Sequence, residues 1–94
     1  MTRERKAVET GLRSKGFRQK EGDHHYFIYW SKDEKKSIVK TKTSHTPKMK
    51  SLSDNLICAM ARQCHLTKAE FIRLVDCPLS RDEYETILAE KEVI

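Results

Sequence analysis

From Phe17 to His45 the chain reads FRQKEGDHHYFIYWSKDEKKSIVKTKTSH, dense in aromatic and β-branched residues and broken twice by turn chemistry, at Gly22 and across Lys32 to Lys36. Such side chains fit a pleated surface and lose rotamer freedom in a helix, so the stretch predicts three antiparallel strands near residues 17–20, 24–31 and 36–43. In the middle strand a period of two puts His24, Tyr26, Ile28 and Trp30 on one face and His25, Phe27 and Tyr29 on the other. Both faces are apolar beyond the histidines, so periodicity does not choose which one packs inward.

Helix signals flank this block. Ahead of it, Thr2 is an N-cap candidate, Val8 and Leu12 repeat at i, i+4, and Gly16 supplies a left-handed stop that lets Phe17 pack back on Leu12, giving a helix over about 3–15. Behind it, after the loop SHTPKMK, three hydroxyl-then-acid pairs mark three helix starts: Ser51 with Asp54, Thr67 with Glu70, and Ser80 with Glu83. Apolar stripes follow each pair, the last two over about 68–76 and 81–90. Strands followed by helices argue an α+β domain whose antiparallel sheet is covered on one face, leaving the other for function.

A chain of 94 residues holds one modest core. Its charge is uneven: residues 1–50 carry 14 Lys or Arg against 6 Asp or Glu, and residues 51–94 carry 5 against 8. A basic half beside an acidic one points to a polyanionic partner, nucleic acid first, against the plainer reading of a solvated lysine-rich surface. No apolar run approaches the roughly 18 residues of a membrane span and no signal peptide is evident, so the expectation is a cytoplasmic protein with no membrane partner. Cys58, Cys64 and Cys77 read as reduced packing thiols. Together with His65 they lack the short Cys-x-x-Cys pair of structural zinc sites, and no metal or cofactor is expected.

His24 and His25 point to opposite faces and so do not jointly chelate a metal. A histidine at a strand entrance among lysines has another use. Metal-free RNA cleavage needs a base for the 2′-hydroxyl, cations around the phosphorane and a proton donor for the 5′ oxygen, and imidazole suits the first of these. The candidates are His24 as base, Lys20, Lys40 and Lys42 as phosphate holders, and His45 as a second imidazole, with His25 accessory or structural. Two other classes stay open: an RNA-binding module without catalysis, and a helix-turn-helix DNA binder built on ICAMARQCHLTKAEFIRLV.

The succession of a helix ending LRSKGF, the strand entrance EGDHHYFIY, the basic strand SIVKTKTSH and the helix SDNLICAMARQCHL resembles the HicA-type toxins, small mRNA interferases of toxin-antitoxin pairs. The resemblance spans about residues 6–66. It implies the fold of a double-stranded-RNA-binding domain, α-β-β-β-α, with two additional C-terminal helices, and a division into a core over 1–66 and a helical extension over 67–94 packed on the same domain. It also implies a catalytic role for His24, which matches the histidine of the family's Gly-Ser-His stretch, and a HicB-type antitoxin as protein partner. Here that stretch is Gly22-Asp23-His24. The acid in place of a hydroxyl either orients His24 and raises its pKa or repels phosphate and marks a protein that binds RNA without cutting it. Oligomeric state, a homo-oligomer included, is not legible.

Overall fold

The computed structural model describes residues 3–44, 50–76 and 78–94. The chain order is β1 (Arg3–Glu4), α1 (Arg5–Ser14), β2 (Phe17–Glu21), β3 (His25–Trp30), β4 (Lys36–Thr43), β5 (Ser51–Leu52), α2 (Asp54–Gln63), α3 (Lys68–Val75) and α4 (Arg81–Glu90). β2, β3 and β4 form an antiparallel sheet in that order, and β1 pairs with β5 in a separate two-stranded one. The described residues form a small α+β domain of four helices and two sheets.

The first helix starts later than the sequence suggests. Arg3 and Glu4 are used up in pairing with Leu52 and Ser51, and the Arg5 amide donates to Lys50 O at 2.8 Å. Glu4 is therefore the N-cap, without a side-chain bond, and Thr2 lies outside the described residues. The same pairing corrects the second cap: Ser51 belongs to β5, and Ser53 instead caps α2 by accepting from the Leu56 amide at 3.3 Å. Both remaining capping boxes form as expected, Thr67 with Glu70 and Ser80 with Glu83. Gly16 takes φ +99°, the left-handed value that ends α1 and turns the chain into β2.

Packing settles the question of faces. Phe27 and Tyr29 are fully buried, with Phe17 beside them on β2 and Val39, Thr41 and Thr43 on β4. Tyr26, Ile28 and Trp30 point the other way, so all four helices lie on the Phe27 side. One cluster joins Val8 and Leu12 of α1, the inner sheet residues, Ile57 and Met60 of α2, and Phe71, Leu74, Tyr84 and Leu88 from residues 67–94.

That last segment grips the sheet closely. Tyr84 stacks on Phe17 with centroids 5.8 Å apart, meets Tyr29 edge-on at 5.2 Å, and donates to Cys64 O at 2.9 Å. Tyr29 donates to Glu85 at 2.6 Å, and burial followed by this bond pushes its phenol up to about 12. The buried Lys15 ammonium donates to Leu74 O at 2.8 Å, in the last turn of α3, and to Leu79 O at 2.7 Å, in the connection to α4.

Candidate nucleic-acid interface

Cross-strand register assembles the open face in rows. Lys20, Tyr26 and Lys42 lie side by side across β2, β3 and β4, and the next row is Arg18, Ile28 and Lys40. Trp30 pairs with Lys36 beyond a register shift, which Ser37 braces by donating to Tyr29 O at 2.6 Å. In each full row an apolar or aromatic centre is flanked by a cation on both edge strands. The cations lie along the rings: the Arg18 guanidinium is 4.0 Å from the Trp30 centroid and the Lys40 ammonium 5.2 Å from that of Tyr26. Among the described residues, none of Arg18, Lys20, Lys36, Lys40 and Lys42 is ion-paired.

The structure thus brings Lys20, Lys40 and Lys42 onto one surface. It adds Arg18, Lys36, Tyr26 and Trp30. Stepping by two from Lys20 and Lys40 reaches the first pair, so a signal for them was present; Tyr26 and Trp30 share their face but carry no charge to attract notice.

His24 stands just outside β3 rather than on it. Glu21 and His25 are the last paired residues of the hairpin, and Gly22, Asp23 and His24 form its tip, closed by the Gly22 amide donating to His24 O at 3.1 Å. The imidazole sits where the open face meets α2, with its ring 6.1 Å from Tyr26. Its side chain is 38% exposed, while Nδ1 is buried without a hydrogen-bond partner. Asp23 does not hold this imidazole by a hydrogen bond: its Oδ2 is 3.6 Å from Nδ1, whereas its Oδ1 accepts from the Tyr26 hydroxyl at 2.6 Å. That bond holds the Asp23 carboxyl below its ordinary range and raises the Tyr26 phenol.

His25 lies on the other face, with Nδ1 2.5 Å from Glu21 Oε2 and its side chain 19% exposed. It is tied to its cross-strand neighbour and contributes nothing to the open face. His45, Pro47 and Cys77 lie outside the described residues.

Beside His24 is a cavity of about 390 Å³. Leu52, Leu56, Ala59 and Met60 supply its apolar lining, and His24, Lys42, Thr43, Ser44 and Gln63 its polar lining. Lys42 and Gln63 also line the adjoining hollow with Tyr26 and Lys40, so the open face runs into this cavity without a break. Gln63 carries no sequence signal, because its meaning depends on where α2 lies against β4.

Burial pushes the Cys64 thiol up to about 12, making it a packing residue rather than a nucleophile. No group of three or more His, Cys, Asp or Glu suited to a metal ion occurs among the described residues. No helix there is long and apolar enough to cross a membrane. No protein-family model, curated protein or solved structure matches this chain.

Proposed function

We propose that the open sheet face holds the backbone of RNA and that His24, at its end, is the general base of a metal-independent endoribonuclease of the mRNA interferase type. The observation carrying this reading is the row Lys20–Tyr26–Lys42, cations with no ion pair among the described residues around an aromatic centre, leading to a part-exposed imidazole. His24 takes the proton of a 2′-hydroxyl, whose oxygen attacks the adjacent phosphorus; the bond to the 5′ oxygen breaks, leaving a 2′,3′-cyclic phosphate and a 5′-hydroxyl that acquires a proton. Lys42, which lines the same cavity as His24, offsets charge on the phosphorane. His45, the second imidazole of the sequence reading, is the candidate donor of that proton. In this reading the core is double-stranded-RNA-binding-domain-like, the protein acts in the cytoplasm on mRNA, and a HicB-type antitoxin, sought in the neighbouring reading frame, restrains it.

A helix-turn-helix is less well supported. α3, the recognition helix in such a scheme, packs Phe71 and Leu74 into the core, and its Lys68 is paired with Asp54.

The test is purified protein, mixed RNA and excess chelator. Wild type should cut, and His24→Ala should lower the rate by about 10²–10⁴-fold while leaving RNA affinity nearly intact. Equal cleavage by both proteins would refute the assignment of His24. Binding without any cleavage would favour an RNA-binding module, with Asp23 the feature that sets it apart.

A further inference from the structure

Of the polar side chains lining the cavity beside His24, Gln63 is oriented by a neighbour and still has donors to offer. The buried Thr41 hydroxyl donates to Gln63 Oε1 at 2.6 Å, which orients the amide of this exposed residue and engages its oxygen. The amide nitrogen makes no hydrogen bond among the described residues, and Gln63 lines the cavity together with Leu52, Leu56, Ala59 and Met60. A donor oriented within a cavity that is partly apolar suits a flat heterocycle with an acceptor on its edge. A volume of about 390 Å³ falls within the range of ligand cavities, roughly 300–1,000 Å³. Duplex RNA cannot deliver a base there, because its bases are stacked and paired; a single strand can splay one out.

We infer that this cavity is the base subsite for the nucleotide whose 2′-hydroxyl faces His24, and that Gln63 is a specificity residue selecting a keto base, uracil or guanine, over an amino base, cytosine or adenine. The inference rests on the RNA reading above. Uracil O4 and guanine O6 accept from the Gln63 amide, whereas the exocyclic amines of cytosine and adenine would set donor against donor. Lys42 spans the cavity and the sheet face, so a backbone lying along Tyr26 and Lys40 can turn its last base inward.

The experiment uses four single-stranded oligoribonucleotides differing only at the nucleotide 5′ to the cleaved bond, plus the same four with that nucleotide 2′-O-methylated, which bind but cannot be cut. Wild type should favour U and G over C and A by about 2- to 10-fold, the span of one neutral hydrogen bond. Gln63→Ala should bring the ratio near one. Gln63→Glu keeps an acceptor for Thr41 and replaces the donor by a second acceptor, so it should invert the preference toward C and A; thermal unfolding checks that both variants fold. Cleavage whose base ratio neither variant moves overturns the subsite and leaves the ribonuclease reading standing. Base-dependent binding that follows Gln63, with no RNA cut, supports the subsite and overturns the ribonuclease reading. A hairpin duplex bound as tightly as the single strands overturns the subsite, and no binding of any RNA overturns both.

Discussion

Adjacent residues in one short hairpin are put to opposite uses. Asp23 is spent on the Tyr26 hydroxyl and Glu21 on His25, so each acid is committed before it can neutralise the cations of the open face. The sequence showed that an acid stood beside His24 but not which donor it would choose, since that depends on the tip folding Tyr26 back over it. The bond has a pH signature. Asp23 has a folded pKa below its unfolded value of about 3.9, so the stability it contributes is fully present above that pH and is lost as pH falls through the folded pKa. Tyr26→Phe removes the first cause of the shift. NMR titration of the Asp23 carboxyl should then show its midpoint moving up toward about 3.9, and an unmoved midpoint would mean that the phenol is not its partner.

At the scale of elements, alternation and capping pairs located the strands and the last two helices, because both signals are local. What they missed was set by distant pairing. β1 takes residues that looked helical, and β5 takes the serine that looked like a cap, since neither strand exists without the other. Gly11 is a further case. In an exposed helix interior, replacing glycine by alanine gains roughly 0.5–1 kcal/mol. Here a Cβ on Gly11 would lie 2.5 Å from Val75 O and 2.8 Å from Val75 Cα, both backbone atoms of α3 that cannot rotate aside. Overpacking wins over propensity, and Gly11→Ala should destabilise the protein by about 1–3 kcal/mol in urea unfolding. A stabilised variant would show that α1 and α3 do not cross this closely.

The whole molecule divides into a basic sheet surface and a helical layer, with the charge asymmetry of the sequence as its origin. Residues 1–50 supply all five cations of the open face, while residues 81–90 place Asp82, Glu83, Glu85 and Glu90 in the helical layer. Charge counting could find the halves; only the register could show that five cations share one plane while others, such as Lys15 and Lys32, are consumed by carbonyls or by Asp82. If a single strand neutralises those five, counterion release gives a slope of log K against log salt of about −3.5, from roughly 0.7 per phosphate. Lys40→Ala combined with Lys42→Ala should reduce that slope by about 1.4 and weaken binding without regard to sequence. Lys6→Ala combined with Arg73→Ala removes the same charge from exposed positions on helices α1 and α3 and should leave the slope unchanged. Fluorescence anisotropy across a salt series reads both. Equal slopes for the two double variants would mean that net charge alone attracts RNA and that the rows across the sheet are a solvated surface, whereas a loss confined to the sheet pair places the strand along Tyr26 toward His24.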